Sequence, residues 1–399
     1  MMAEAIDFSV SPELKNSLGR WRTRAAIIGV IGLALTAFGW VQNPGQFYHS
    51  YLWSYVFYIG LAGGCLAWLM TQFLTGGAWG LVIRRPSEAA VRTYPLLILL
   101  FVPIIIGIPT LYKWSNPAVL AADEVLRAKQ PFLNVPFFLI RAAAYLGGFL
   151  FCALYINRWS KIEDRDGGVR PRRKMAKIAA PGLVFWGFAV TFMAIDWVMS
   201  LDPHWYSTMF GLLFVAGQGL SGMAFLITIL VILSYFRPFS EVLTPRHLHD
   251  LGKLLLACVM VWAYFAFSQL LIVWTGNLPI EIPWYLERFR GGWGYIGLVL
   301  VFGHFALPFA LLLSRDLKRN FKLLACIAMF ILLMRYVDLY WLVAPDYLKA
   351  SFGISWMDFT APIGLGGVWV AYFLTELGKR PLIPVNDPYL EEGLEHGRQ

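Results

Sequence analysis

"STMFGLLFVAGQGLSGMAFLITILVILSY", residues 207–235, runs for 29 positions without an Asp, Glu, Lys, Arg or His. An α-helix rises about 1.5 Å per residue and the hydrocarbon core of a bilayer is about 30 Å thick, so a run of this length is a membrane span. In lipid, backbone N–H and C=O groups must bond within the segment, which makes the span a helix. A transmembrane strand would need only about 10 residues of alternating polarity.

Similar apolar runs recur on both sides of this one. Ten spans are expected, at about 25–41, 51–74, 94–112, 134–157, 178–197, 207–235, 250–274, 292–314, 321–343 and 356–377. The whole chain agrees: 58% of its residues are hydrophobic and 14% charged, against about 25% charged in a soluble domain. Its mean hydropathy is +0.61. The expected fold is an all-α integral membrane protein. It comprises a polar N-terminal segment (1–24), a ten-helix domain (25–377) and a C-terminal tail (378–399). Ser11-Pro12-Glu13 reads as a helix start, and the N-terminal segment lacks the design of a cleaved signal peptide.

The net charge of +9 reads as topology rather than nucleic-acid binding. The N-terminus, the loops after spans 2, 4, 6 and 8, and the C-terminus, with their adjoining turns, hold 25 of the 33 Lys and Arg; the other five loops hold 6. By the positive-inside rule both termini are expected in the cytoplasm. The loop 158–177, "RWSKIEDRDGGVRPRRKMAK", dominates that count as an orientation signal and a contact for anionic membrane lipid. Cys65, Cys152, Cys258 and Cys326 lie in apolar runs without CxxC or CxxCH spacing, so no covalent haem or iron–sulfur cluster is expected in this chain.

A faint internal repeat relates "HSYLWSYVFYIGLAGGCLAW" (49–68) to "HWYSTMFGLLFVAGQGLSGM" (204–223). Spans 2–5 then correspond to spans 6–9, as two four-helix bundles near 51–197 and 207–343, with two further helices. The glycines Gly60, Gly63, Gly64, Gly217, Gly219 and Gly222 read as small residues that let helices approach. On the outer side, 115–131 reads as a short helix opened by Pro117, and 276–295 as a long punctuated loop.

Ionisable groups inside spans are costly and are therefore functional candidates. Asp196, His304, Arg335 and Asp338 are expected on a proton path, with Arg141, His249 and Asp250 supporting it; Asp358 and Glu376 also fall at span ends. In "MRYVDLY" (334–340) Arg335 and Asp338 stand three apart on one helix face, either as part of that path or as an ion pair that fixes packing. His304 in "VFGHFALPF" (301–309) is a relay or a satisfied core histidine, since no second mid-span histidine offers a haem ligand. Asp202, His204, Trp205, Glu281 and Trp284 mark an outer mouth or partner interface. Asp202-Pro203 equally reads as a turn, with Asp202 or Ser207 capping span 6. No HExxH, GxSxG, P-loop or zinc-ligand spacing is present, so no metal site is expected.

"DWVMSLDPHWYSTMFG" (196–211), "LPIEIPWYLERFRGGWGY" (278–295) and "HDLGKL" (249–254) together resemble ActF-type membrane subunits of bacterial alternative complex III, within the NrfD/PsrC-like superfamily. The resemblance spans all ten expected helices. It implies a multi-pass subunit of the bacterial cytoplasmic (inner) membrane, in a quinol:cytochrome c or electron-acceptor oxidoreductase, that supports quinol oxidation and proton translocation. It implies no covalently bound cofactor and a quinone or quinol held either in this subunit or in its ActC-like sister, with haem c and iron–sulfur clusters carried by partners. Those partners are an ActC-like membrane subunit, an iron–sulfur subunit, multihaem and monohaem cytochrome c subunits, and a terminal oxygen reductase. Two rival readings stay open: the quinol-binding anchor of a molybdopterin or polysulfide-type reductase, and a proton-coupled secondary transporter.

Overall fold

The computed structural model describes residues 7–349 and 351–396, the side chain of His396 excepted. Among them, ten helices are long and apolar enough to cross a membrane. They are α1 (Pro12–Gln42), α2 (Pro44–Thr75), α3 (Trp79–Ile106), α4 (Val135–Asp166), α5 (Val169–Leu201), α6 (Met209–Leu233), α7 (Pro245–Gly276), α8 (Trp293–Leu313), α9 (Phe321–Leu348) and α10 (Met357–Leu377). The chain is thus an all-α, multi-pass membrane protein. The Leu382 N–H donates to the Phe8 carbonyl at 3.0 Å, so both ends of the described chain lie on one side, here the terminal side.

Starts and stops follow local chemistry. Ser11 caps α1 by accepting from the Leu14 N–H, as its Ser-Pro-Glu sequence predicts, and Asn43 and Asn134 cap α2 and α4. Gly76, Gly77, Gly167 and Gly168 have positive φ, which lets the chain reverse after α2 and α4. The predicted cap of α6 is corrected: Thr208 occupies that position without a side-chain bond, while Asp202 accepts from the His204 N–H and Ser207 donates to Gln269. The single outer helix expected in 115–131 is two, Pro117–Ala122 and Glu124–Lys129, because Asp123 starts a new one by accepting from Val125 and Leu126.

The largest correction is α3. Its span begins at Trp79, not near 94, because Arg84, Arg85 and Glu88, read as loop charges, are buried in helix. The helix is then interrupted near Arg92, Leu100 and Gly107, just before or beside Pro95, Pro103 and Pro109. Proline lacks the N–H that would continue the ladder, and Tyr51 and Tyr55 of α2 supply donors instead, to the carbonyls of Leu100 and Leu97.

Helices α2 to α5 pack together, as do α6 to α9, and the two groups meet where α2 crosses α6. At that crossing Gly64 lies against Gln218 and Gly222; a Cβ on Gly64 would stand 1.9 Å from the Gln218 carbonyl oxygen. Helices α1 and α10 form a separate pair, with Gly29 against Gly367 and Gly32 against Gly364. Without a hydrophobic drive between helices in lipid, such backbone contact is what holds them. The outward faces of α1, α7 and α8 are apolar, with Val30, Phe38, Phe267 and Phe302 exposed for lipid.

The stretch after α10 is not a free tail. Leu382 and Ile383 are buried, Asn386 donates to the Asp164 carbonyl, and the His247 ring bonds the Gly393 carbonyl at 3.2 Å. This strap lies across the terminal ends of α3, α4, α5 and α7.

Candidate functional site

Helices α7 and α8 touch near the terminal side and diverge toward the other. Between them opens a cavity of about 1000 Å³ lined chiefly by aromatic and aliphatic side chains, among them Phe267, Leu298, Phe305 and Trp341. Tyr264 and Tyr295, 65% and 75% exposed, stand at its rim, so the cavity opens sideways toward lipid. Its polar lining is sparse: Asp338 from α9, Gln269 from α7 and Tyr285 from the helix Ile282–Phe289.

Asp338 is the only carboxylate in that lining. Arg335 and the Trp262 indole N–H both donate to its Oδ2, leaving Oδ1 without a hydrogen-bond partner among the described residues. Arg335 is buried, and Gly217 makes room for it: a Cβ there would come 2.3 Å from the guanidinium carbon. Gly217 therefore does more than admit a neighbouring helix. Trp262 also stands edge-on to His304, ring centroids 4.1 Å apart. His304 is wholly buried in a π-helical turn, Leu300–Ala306, and neither ring nitrogen has a partner among the described residues. Such widened turns interrupt a helix mostly at functional positions.

Tyr285 closes the opposite end of the cavity. Gln269 donates to its hydroxyl at 3.2 Å, and Gln269 in turn accepts from Ser207 at 3.3 Å. Burial raises the Tyr285 phenol to about 12 despite the Gln269 bond, so the hydroxyl keeps its proton and can donate it to a ligand oxygen. Beside it, Trp205 stacks on Trp284 with centroids 4.3 Å apart, and the buried Arg288 lies 3.5 Å from the Trp284 ring centroid. Arg288 bonds Asp346 at 3.1 Å and the Leu342 carbonyl at 2.7 Å. Burial pulls Arg288 below the usual arginine range, with Asp346 opposing that shift. Trp205 and Trp284, expected at an outer mouth or partner interface, are both buried and stack beside Tyr285.

Arg141 and Asp196 form a second and separate cluster. The guanidinium makes two parallel 2.8 Å bonds to the Asp196 carboxylate, Tyr145 adds a third at 2.8 Å, and Phe132 and Phe137 cover Arg141. Asp196 has no solvent exposure, so it does not face the aqueous phase. Helices α2 and α6 pack between this cluster and Asp338, so the structure does not bring Arg141 and Asp196 together with Arg335 and Asp338.

His249 and Asp250 stand in the first turns of α7, where Lys253 pairs with Asp250 at 3.1 Å; along the helix they are roughly 18 Å from Trp262. His204 is half exposed and bonds Asp123 at 2.7 Å. Burial acts to raise the Asp123 carboxyl, but bonds from the Leu126 N–H and His204 outweigh it and hold it below the usual carboxylate range. Glu281 is half-buried at the start of the Ile282–Phe289 helix, without a side-chain cap bond.

Sequence reasoning missed the largest ionic cluster. Arg84 binds Glu88, Glu163 and Asp387; Arg85 binds Glu88 and Asp164; Arg172 also reaches Asp387. Three arginines counted as orientation signals, Arg84, Arg85 and Arg172, are turned inward. The i, i+4 spacing of Arg84 and Glu88 and the i, i+3 spacing of Arg85 and Glu88 are the signals the sequence offers.

Comparison with protein-family models gives no match to this chain, and comparison with curated proteins gives no match either.

Proposed function

We propose that this chain is the quinol-binding membrane subunit of a respiratory quinol:electron-acceptor oxidoreductase of the alternative complex III type, in the bacterial cytoplasmic membrane with both termini inside. The observation that carries the reading is the lipid-open apolar cavity between α7 and α8, with Asp338 and Tyr285 as its polar contacts. A quinol reaches its site through the hydrocarbon phase, so a lateral opening suits it where an aqueous channel would not. Ligand sites are apolar with a few placed polar groups, which is the composition of this cavity.

Quinol oxidation yields quinone, two protons and two electrons, and iron–sulfur and haem c centres of partner subunits would supply the acceptor for the electrons. The residues of this chain bind and orient. Asp338 Oδ1 accepts a bond from a substrate hydroxyl and, held by Arg335 and Trp262 through Oδ2, keeps its direction. The Tyr285 hydroxyl donates to a second oxygen. His304 packs edge-on behind Trp262 and helps to fix the indole that donates to Asp338. The stacked Trp205 and Trp284 pack behind Tyr285 and support its position.

The reading is tested in the purified complex by titrating a short-chain quinone against tryptophan fluorescence and by quinol oxidation. Asp338→Asn keeps the volume but removes the charged acceptor, and turnover is expected to fall about tenfold or more. Unchanged binding and turnover in both Asp338→Asn and a cavity-filling Gly297→Phe variant would place the quinol elsewhere.

A further inference from the structure

The hairpin that joins α4 to α5 sorts its charges. Of the residues in 158–177, Glu163 and Asp164 turn inward onto Arg84 and Arg85, and Arg172 turns inward onto Asp387. Outward are left Arg158, Lys161, Arg165 and Asp166 on α4, and Arg170, Arg173, Lys174 and Lys177 on α5. Arg158, Lys161 and Arg165 are spaced three and four apart and so form one stripe along the α4 surface. The outward face of the folded hairpin is strongly basic, because two of its three acids, Glu163 and Asp164, are turned onto buried partners.

Below that basic face the same helix carries an aromatic ladder. Trp159, Tyr155 and Phe151 follow one another four residues apart, with ring centroids 6.3 and 6.0 Å apart. The Lys174 ammonium stands 5.8 Å from the Trp159 ring and ties the two helices together at the level of the charges. Farther along the hairpin, Leu154, Val184 and Phe188 are exposed and apolar. Cations, then an amphipathic Trp, then Tyr and Phe, is the polarity gradient of a phospholipid read from headgroup to chain.

We infer that the α4–α5 hairpin seats an anionic phospholipid, its phosphate against Arg158 and Lys174 and an acyl chain along Trp159, Tyr155 and Phe151. A nucleic acid would find the cations but no use for the apolar ladder beneath them. The site is independent of what the cavity binds.

The test is native mass spectrometry of the full complex released from nanodiscs of mixed phosphatidylglycerol and phosphatidylcholine, with thermal unfolding in parallel. The wild type is expected to retain phosphatidylglycerol over phosphatidylcholine. The variant Arg158→Gln/Lys174→Gln should lower that preference about tenfold, since each cation near a membrane contributes to anionic-lipid binding. An equal charge change on the α8–α9 turn, Arg315→Gln/Arg319→Gln, should leave it intact; both residues are exposed. Equal loss in the two variants, or full retention in the first, would overturn the assignment. So would a thermal shift from inorganic phosphate as large as that from phosphatidylglycerol, which would mark a free-anion site.

Discussion

Arg84 of α3 and Asp387 of the C-terminal strap, 303 residues apart in sequence, meet at 2.5 Å with neither side chain exposed. Arg84 is thereby surrounded by three carboxylates from three separate segments, and the strap supplies the one most distant in sequence. Removing one partner of a buried pair leaves the other charge uncompensated, at about 3–5 kcal/mol. Asp387→Ala, or truncation after Arg380, is expected to lower the unfolding temperature of the purified protein markedly, read by circular dichroism in mild detergent. A tail that merely trails in solvent would give no shift.

Gly217 and Gly219 are two residues apart on α6 but meet different surroundings. A Cβ at Gly217 would collide with the Arg335 guanidinium, whereas one at Gly219 has nothing within 4 Å. Gly217→Ala should destabilise by about 1–3 kcal/mol through overpacking and disturb the hold on Asp338. Gly219→Ala should be neutral or stabilising by up to about 1 kcal/mol, from helix propensity alone. Thermal unfolding of the two variants side by side, with quinol turnover, separates the effects.

Asp196 is buried and accepts three hydrogen bonds, two from Arg141 and one from Tyr145. Asp196→Asn strands the Arg141 charge and is expected to cost about 3–5 kcal/mol. His204→Ala, at an exposed pair with Asp123, should leave the unfolding temperature unchanged. Proton release per quinol, measured in whichever Asp196 variant assembles, should match the wild type.

Tyr285 carries a testable pH signature. Its phenol is raised to about 12 by burial, against the small opposing effect of Gln269. The neutral hydroxyl's contribution is therefore fully present below the usual tyrosine range and lost only as pH rises through the raised value. Tyr285→Phe should weaken quinone binding by about 1 kcal/mol, the size of one hydrogen bond, with the same deficit from about pH 6 to pH 9. A deficit that varied across that range would assign the contact to another group.

The sequence by itself determined the fold class and the positions of nine of the ten spans to within a few residues of their apolar centres, because lipid requires long charge-poor helices and those are visible in one dimension. It singled out Arg335 and Asp338, whose i, i+3 spacing places them on one face whatever the tertiary arrangement. Only the tertiary structure decided the rest. Arg84, Arg85 and Glu88 show only a helical spacing, which a surface helix would share, until Glu163, Asp164 and Asp387 arrive from distant segments to neutralise them, and with them the start of α3 moves to Trp79. Arg141 and Asp196 are fifty-five residues apart and form a pair only because α4 and α5 fold together. The cavity has no linear signature at all: it exists because α7 and α8 diverge, and divergence is a property of packing between helices, not of the residues along either one.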